Sequence, residues 1–391
     1  MIKKKYLIIT AVCATVLTWM ACTVWHYYRP VGLFSSNPVA RAQYIIEQAY
    51  VNPLTKEQKT AMEDAAINAM VNSLGDPYSR YLNIDKLSDY KETKQEEYWG
   101  IGVSINFDAT ENAMIVIAPY DGSPAQKAGL LPGDVVTQVD GTTVTADNYN
   151  ALINKIKSGK EGSVTFRIRR DDSYLTIPIE RAEVKRESVS YRMLEDGLGY
   201  VRISEFIHNS TEEFEAAISA LKDQGMKGMV IDLRNNPGGY ADSVLAMTDS
   251  LLPEGVIAYL EDNAGKREYF NSDEAYLPVP MVVLINQGTA SASELMAGSL
   301  QAHGMAVIIG EKSYGKAVGQ ALFPVTDKTA IYLTGARYFT PKGECIDGVG
   351  IEPDVLVSLP EELMSKISVM GPEQDTQLAK AIEFLQTQTG Q

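Results

Sequence analysis

The order of hydrophobic and polar positions divides the chain into a leading apolar run, a helical stretch, a stretch of short strands and a longer stretch of strand–helix repeats. The apolar run extends from Tyr6 to Trp25, 20 residues without a charge, and follows the lysines Lys3 to Lys5. That length spans a bilayer as a helix, and lysines before it favour a cytoplasmic start. The pattern therefore predicts a signal anchor over residues 1–29.

Two alternatives for this N-terminal run are weakened by its sequence. A cleaved signal peptide would end at a small-x-small site, and no clear one ends the run. A lipoprotein signal would use Cys22, but Trp19 stands where leucine is usual. We therefore expect an uncleaved, single-pass anchor in the cell membrane, with the chain that follows it outside the cytoplasm.

A helical region is predicted at residues 30–87. One helix covers about Val39 to Tyr50, and a second begins at the capping box Thr55-x-x-Gln58 and carries apolar residues at helical spacing. The stretch from Leu74 to Ser79 closes that helix and indicates no chemistry of its own. We expect this region to serve packing or contact with another subunit.

Between residues 88 and 183 the pattern changes to short strands and glycine-containing turns. Trp99 to Ile105 combines a glycine turn with an alternating strand, and Ser163 to Arg169 is another strand that ends in a hairpin. The blocks between them are Gly122 to Ala125, Ala128 to Leu130, Gly133 to Val136 and a helix at about Tyr149 to Ile156. Taken together, these blocks resemble a PDZ domain, although the first glycines alone would predict only a tight turn.

The PDZ resemblance implies a site for a peptide C-terminus. Such a module accepts a peptide as an added strand at an open sheet edge, and a glycine loop offers N–H groups to the terminal carboxylate. The loop would consist of Gly100, Ile101, Gly102 and Val103. Arg169 and Arg170 are candidates for carrying the binding signal onward, although adjacent arginines more often form a solvated strand end. Whether the domain would inhibit or activate the rest of the chain stays open.

Strand–helix repeats fill residues 184–360, and an amphipathic helix at Asp375 to Gln386 lies in a C-terminal segment, 361–391. Within the repeats, Ser291 stands where the buried strand Pro280 to Asn286 turns into a helix. Free N–H groups at a helix start stabilise developing negative charge, which suits a nucleophile. The structural alternative is that Ser291-x-x-Glu294 is only a capping box.

A nucleophilic serine needs a base, and histidine is scarce. The chain has His26, His208 and His303, and only the last lies near Ser291 in sequence. A desolvated lysine can replace histidine because burial disfavours its charged form. Lys316 is the candidate, although a lysine in a glycine-containing loop is usually just solvated. A histidine-dependent hydrolase that uses His208 or His303 therefore remains an alternative.

Two blocks, NQGTASASE at 286–294 and GKAVGQ at 315–320, resemble those of the carboxyl-terminal processing peptidases, the tail-specific serine proteases. The resemblance implies that Ser291 is the nucleophile, Lys316 the general base and Gln320 a residue that orients the lysine. The chain departs from the family pattern at Thr289, Ala317 and Gly319, and the last two leave the path of the Lys316 loop open.

Another strand–loop–helix junction contains the Asn-Pro-Gly-Gly block that ends at Gly239. Adjacent glycines let a backbone N–H approach a ligand without a Cβ in the way. Beside Ser291, we interpret the block as half of an oxyanion hole, whereas the block alone would predict only a turn. The family resemblance implies that the hole is formed by the N–H of Gly238 or Gly239 together with that of Ala292.

The expected protein has an α/β multidomain fold: an N-terminal membrane anchor, a helical region, a β-rich PDZ domain and an α/β protease core of the ClpP/crotonase type. Its expected function is that of a serine endopeptidase with a Ser-Lys dyad, which recognises C-terminal tails of exported proteins through its PDZ domain and cleaves them. Its partners would be proteins or peptides with accessible C-termini and the membrane, and a homodimer is allowed. A non-catalytic PDZ scaffold is the alternative.

Composition narrows the remaining classes of partner. The net charge of −15 argues against nucleic acid, because phosphate binding needs a basic face. The cysteines show neither a disulfide framework nor zinc-type spacing, since Cys13 and Cys22 lie in the apolar run and Cys345 is alone. No metal and no organic cofactor is expected.

Overall fold

The computed structural model describes residues 36–93, 97–108, 111–119, 122–131, 133–157, 162–170, 173–360, 363, 367 and 370–390. The predicted anchor, 1–29, lies outside these residues. Among the described helices, none combines the length and the apolar character that crossing a bilayer requires.

The first compact unit ends at Asp76 and contains helices α1 (Pro38–Ala49) and α2 (Lys56–Asn72). The predicted capping box opens α2: Thr55 Oγ1 accepts from Gln58 N at 3.2 Å, and Gln58 Oε1 accepts from Thr55 N at 2.9 Å. Apolar side chains that stay exposed in this unit are Val39, Ile45, Ile46, Tyr50, Val51, Met70 and Leu74. Such a surface is large for a solvated helix pair and suits contact with another protein.

The second unit begins at Pro77, with strand β1 (Arg80–Leu82) and helix α3 (Ile84–Thr93) at its start. An antiparallel sheet follows, in the order β3-β4-β5-β7-β8, with β6 beside β5. Its elements are β3 (Val103–Asp108), β4 (Ala113–Pro119), α4 (Pro124–Lys127), β5 (Val135–Val139), β6 (Thr142–Thr143), α5 (Tyr149–Lys157), β7 (Ser163–Arg170) and β8 (Ser173–Glu180). The strands β2 (Glu97–Gly100) and β9 (Ala182–Lys185), which precede and follow this sheet in the chain, pair with each other as an antiparallel ribbon.

The largest hydrophobic core lies around a mainly parallel sheet, ordered β10-β11-β12-β15-β16-β19. Its strands are β10 (Val189–Met193), β11 (Leu198–Ile203), β12 (Gly228–Asp232), β15 (Met281–Ile285), β16 (Ala306–Gly310) and β19 (Val355–Leu356). The strands β12 and β15 are buried on both faces, as is usual when helices cover a parallel sheet.

Helices cover both faces of this sheet. They are α6 (Ser210–Asp223), α7 (Ala241–Asp249), α8 (Ala292–Ala302) and α9 (Thr376–Thr389). Val283 belongs to the core that contains side chains of α6, α7 and α8, whereas its neighbour Val282 belongs to the cluster that contains α9. Successive strand residues point to opposite faces, so α9 packs on the face opposite the other helices.

A further sheet carries the strand that follows Lys316. Its strands are β1, β13 (Gly255–Asp262), β14 (Arg267–Ser272), β17 (Val318–Pro324) and β18 (Ala330–Phe339). Strand β17 pairs with β18 along its length, while β1 and β13 pair with β18 on residues 330–332 and 336–339, respectively. Strand β1 therefore belongs to the same sheet as β17, the strand that follows Lys316 in the chain.

Candidate active site

Ser291 lies at the junction of β15 and α8, as the sequence predicts. Its backbone has φ 58° and ψ −117°, a conformation that costs a residue with a side chain of the order of 1–3 kcal/mol. Two contacts hold it there: the Ser291 N–H donates to Glu294 Oε2 at 2.8 Å, and the Ser291 carbonyl accepts from Tyr338 Oη at 3.0 Å. Burial raises the pKa of Tyr338 well above its ordinary value, with Glu294 adding to the rise, so this phenol stays a donor.

The turn before Ser291 is fixed against the loop that follows β12. Asn286 Oδ1 accepts from Asn235 N at 2.8 Å, and Thr289 Oγ1 donates to the Leu233 carbonyl at 2.9 Å. A Cβ on Gly288 would lie 2.8 Å from Asn235 Oδ1, so the close approach of the two loops requires glycine there. Thr289, one of the departures from the family pattern, is fully buried in this contact.

The buried carboxylate of Glu294 joins the Ser291 junction to the Lys316 loop. Its Oε2 accepts from Ser291 N and from Lys316 N, each at 2.8 Å, so the two nitrogens are at most twice 2.8 Å apart. Its Oε1 accepts from Gly315 N at 2.6 Å and from the Ser313 hydroxyl. The structure thus brings together the two residues that the sequence analysis singled out. The capping-box pattern is also present at Glu294, but its carboxylate holds the distant loop as well.

The loop around Lys316 has a defined path despite its unusual residues. Ala317 is fully buried, and its N–H donates to Asp347 Oδ1 at 3.1 Å. Gly319 pairs with Ala336 next to an irregularity in the β17–β18 register. Lys316 itself is half-buried, and its Nζ lies 4.6 Å from the centroid of the Tyr78 ring.

Gln320 lies on β17, four residues after Lys316. Its Nε2 donates to Thr334 Oγ1 at 3.3 Å and to the Val318 carbonyl at 3.2 Å. Thr334 is on the neighbouring strand β18, and its backbone N–H donates to Ser79 Oγ at 3.0 Å. The glutamine side chain is therefore held by the strand that also carries the Pro77–Leu82 segment.

The glycine pair lies beside Ser291 and Ala292. A Cβ on Gly238 would lie 2.9 Å from Ala292 N and 2.9 Å from Ser291 Cβ. A Cβ on Gly239 would lie 2.0 Å from the Phe206 carbonyl oxygen, so neither position tolerates a larger residue. The Gly238 N–H donates to Asn236 Oδ1 at 2.9 Å, whereas the Gly239 N–H donates to no residue that the structure describes.

A buried ion-pair network anchors this glycine loop at its base. The Arg234 guanidinium donates to Asp232 and to Asp375, the N-cap of α9, and all these side chains are inaccessible to solvent. Burial alone would raise the pKa of Asp232, but the charges of Arg234 and Arg202 hold it well below its usual range. The loop therefore starts from a rigid, charged support.

The histidines occupy other positions. His303 caps the far end of α8, where its Nε2 lies 2.8 Å from the Val256 carbonyl oxygen. At about 1.5 Å per helical residue, this places it roughly 18 Å from Ser291 and excludes it from the site. His208 stacks on Tyr240, with ring centroids 3.8 Å apart, next to the glycine pair. His26 lies outside the described residues.

The glycine turn of the PDZ-like sheet connects β2 to β3. The Ile101 carbonyl accepts from Ala125 N at 2.8 Å, and a Cβ on Gly102 would lie 2.5 Å from Ser123 Cβ. Gly100 and Val103 belong to the strands on either side. The structure therefore has the tight turn that the glycines predict, and the turn leads directly into β3.

Helix α5 contacts β3 through the Tyr149 side chain. Among the described strands, β3 pairs only with β4, so its other edge is open to an added strand. The Tyr149 side chain of α5 faces this edge: its ring centroid is 5.5 Å from that of Phe107, and its hydroxyl is 3.5 Å from the Ile105 carbonyl oxygen.

Arg169 and Arg170 both have partners inside the PDZ-like sheet. Arg170 donates to the carboxylate of buried Asp134 at 2.7 and 2.8 Å and to the Gly129 carbonyl at 2.8 Å. Arg169 pairs with Glu111 at 2.6 Å. Arg170 is thus a structural link between blocks of the domain rather than a solvated strand end.

Comparisons with known proteins match three parts of the chain to family models. Residues 197–357 match the model of peptidase family S41, residues 115–170 that of the PDZ domain, and residues 34–86 that of the N-terminal domain of the activating protease CtpB. The α/β core and the PDZ domain expected from the sequence are thereby confirmed.

Relatives and solved structures agree with these assignments. A carboxy-terminal-processing protease of Bartonella bacilliformis is 35% identical over 82% of this chain and 75% of its own length. The carboxy-terminal processing protease CtpB of Bacillus subtilis is 31% identical over 83% of this chain and 68% of its own length. A solved photosystem II D1 C-terminal processing protease has a TM-score of 0.53 at 28% identity, and the alignment covers 85% of this chain and 96% of that one.

Proposed function

The chain belongs to peptidase family S41, among the carboxy-terminal processing serine proteases, and from this membership we propose that Ser291 is its nucleophile and Lys316 its general base. The observation that carries the proposal is the Glu294 carboxylate, which accepts hydrogen bonds from the backbone N–H groups of both residues. A PDZ scaffold without activity would need neither group, so the family membership favours the enzyme.

The proposed reaction is acyl transfer. Neutral Lys316 takes the proton of the Ser291 hydroxyl as Oγ attacks the peptide carbonyl, and the resulting ammonium then protonates the leaving amine. Water repeats the attack on the acyl-enzyme by the same route. Because the lysine must be neutral to accept the proton, activity should rise with pH across its titration.

The N–H groups of Ala292 and Gly239 are proposed as the oxyanion hole. Ala292 is the first residue of α8, where helix N–H groups have no partner within the helix. Gly238 lies against Ala292 N but uses its own N–H to bind Asn236, which favours Gly239 as the second donor. Gln320 is proposed to orient Lys316, and the support is its place on the strand that follows the lysine.

The PDZ domain is proposed to recognise the C-terminal tail of a protein or peptide substrate. The open edge of β3 and the Ile101–Gly102 turn before it support this use, because a tail can add as a strand while its carboxylate meets the turn. The relatives are named carboxy-terminal processing proteases, and these names refer to the same end of a polypeptide.

The test of the enzyme proposal uses the purified full chain and a folded protein that ends in an apolar, unstructured tail. Cleavage products identified by mass spectrometry should come from the tail and should be absent with Ser291→Ala. Lys312→Ala is the matched control for Lys316→Ala, since Lys312 is exposed and pairs with Glu352 at the surface. Tail cleavage that persists with Ser291→Ala would exclude the proposed nucleophile.

We also propose that residues 1–29 are a single-pass anchor that holds the catalytic part outside the cytoplasm. The support is the uncharged run of 20 residues after the lysines Lys3 to Lys5. The chain should stay in the membrane pellet after alkaline washing and should be digested by protease added outside the cell membrane. Recovery of the intact chain in the soluble fraction would contradict the anchor.

A homodimer through the helical region is the last part of the proposal. The exposed apolar residues of α1 and α2 support it, since such surfaces mark sites of protein contact. Sedimentation equilibrium of the purified chain should give twice the monomer mass, and Ile45→Glu with Ile46→Glu should return it to the monomer. A monomer at micromolar concentration before substitution would exclude the dimer.

A further inference from the structure

The Lys316 side chain meets an aromatic ring from a segment in which the sequence shows no chemistry. Its Nζ lies over the face of Tyr78, 4.6 Å from the ring centroid. A cation within about 6 Å of a ring centroid is attracted by the negative face of the ring. The ring therefore favours one protonation state of the proposed base over the other.

The position of Tyr78 is fixed by the residues that follow it. Ser79 is buried, and its Oγ accepts from Thr334 N at 3.0 Å. Arg80 to Leu82 then pair with β18, where Tyr81 lies opposite Ile331 and is itself buried. A ring at the end of such a strand is held by backbone pairing, so it offers Lys316 a stable surface.

The same segment also reaches the proposed partner of the base. Thr334 Oγ1 accepts a hydrogen bond from Gln320 Nε2, and the Thr334 N–H donates to Ser79 Oγ. Adjacent residues of one segment thus contact Lys316 directly and Gln320 through Thr334. This arrangement couples the placement of both groups to the segment around Tyr78.

We propose that Tyr78 is a positioning residue for Lys316, which holds the Nζ in place and sets the pH at which this lysine becomes able to accept a proton. The inference rests on the proposed role of Lys316 as general base. Tyr78 acts through the lysine and needs no contact with the substrate. The acids that meet this loop, Glu294 and Asp347, bind backbone N–H groups of Lys316 and Ala317, respectively.

The effect on the pH profile has a definite sign. Desolvation of a lysine favours the neutral amine, whereas the ring face favours the ammonium. A ring of the same bulk whose negative face is weakened keeps the burial and loses the attraction. The acid limb of the activity profile should therefore move to lower pH, by about half a pH unit for a contact of ordinary strength.

The experiment uses the full chain with phenylalanine and then mono-, di- and trifluorinated phenylalanine at position 78. These rings keep their size while fluorine progressively weakens the negative face. The readout is the rate at which a fluorophosphonate modifies Ser291 as a function of pH, together with kcat for a tail substrate. Tyr78→Phe should keep the wild-type limb, and each added fluorine should lower its midpoint further.

Tyr174→Leu is the matched control, because Arg167 lies 5.0 Å from the Tyr174 ring in the PDZ sheet, away from Lys316. It should leave the limb unchanged. A limb that stays fixed throughout the fluorinated series overturns the inference, even if kcat falls, since a purely structural ring would give that result. Failure of the underlying proposal is distinguishable: Lys316→Ala would then retain the wild-type rate and limb.

Discussion

The two groups of the proposed dyad are held in opposite ways. Ser291 is fixed through its backbone, by Glu294 on its N–H and by Tyr338 on its carbonyl, in a turn that a neighbouring loop locks. The Lys316 N–H binds the same carboxylate, and its long side chain ends over the ring of Tyr78.

This difference indicates which half of the dyad is adjustable. A group held by backbone contacts in a strained turn has one position, and the buried network around it would have to break for it to move. A lysine side chain has several rotatable bonds, so its placement and protonation depend on what surrounds the Nζ. We expect the serine to supply fixed geometry and the lysine to be the half that its surroundings tune.

The largest expected effect comes from removing either half of the dyad. Ser291→Ala and Lys316→Ala should each reduce kcat by about 10³-fold or more, because neither group reacts without the other. The double variant should be no worse than either single one. Steady-state cleavage of the tail substrate, with thermal melting to show an intact fold, measures this. Substantial cleavage by the Lys316→Ala variant at neutral pH would show that Lys316 is not the general base.

The link between the halves should have the next largest effect. Glu294→Gln replaces one carboxylate oxygen by an NH2 group, which would face backbone donors, so the Ser291 turn and the Lys316 loop should separate. A misplacement of about 1 Å can cost about 10²-fold in kcat, and we expect a loss of that order. Glu352→Gln, the same change at an exposed acid, should have no effect. A Glu294→Gln enzyme with wild-type kcat would show that the carboxylate does not set the geometry.

The same contrast explains how much the sequence could predict. The Ser291 junction follows from local signals, a buried apolar strand, a glycine turn and a helix start, and the structure has each of them. The ring over Lys316 could not be found that way. Tyr78 sits in a Gly-Asp-Pro turn that predicts only the end of a helix, and its contact with Lys316 depends on the pairing of β1 with β18.

Only part of the role of the Glu294 carboxylate could be predicted from the sequence. The spacing Ser291-x-x-Glu294 predicts a capping box, which is present, but its contacts with Gly315 and Lys316 are long-range and leave no local pattern. Likewise, the glycine pair was predicted beside Ser291 without a choice between its members. The proposed choice of Gly239 rests on the Asn236 side chain, which accepts from the Gly238 N–H, and this contact is visible only in three dimensions.

A smaller effect is expected from the substrate tail. A C-terminal carboxylate bound at the Ile101–Gly102 turn makes charge-assisted hydrogen bonds, so a substrate amidated at its C-terminus should lose about tenfold in kcat/KM. The comparison of the free and amidated forms of one substrate measures this. Adding a short uncleavable tail peptide then shows whether an occupied PDZ domain raises or lowers the rate on a tailless substrate. Equal cleavage of both forms would exclude recognition of the terminal carboxylate and would leave the PDZ domain with a structural role only.

The smallest effect sharpens the comparison at the lysine itself. Gln320→Ala removes a side chain that is proposed to orient Lys316, so kcat should fall only about fivefold, the worth of one ordinary hydrogen bond. If Thr334 holds the glutamine in place, Thr334→Val should reproduce part of that loss, whereas Thr334→Ser, which keeps a hydroxyl, should not. The double variant Gln320→Ala with Thr334→Val should then be no worse than Gln320→Ala alone, because the threonine hydroxyl would act only through the missing amide. Additive losses in that double variant would show that the Thr334 hydroxyl acts by a route other than the Gln320 amide.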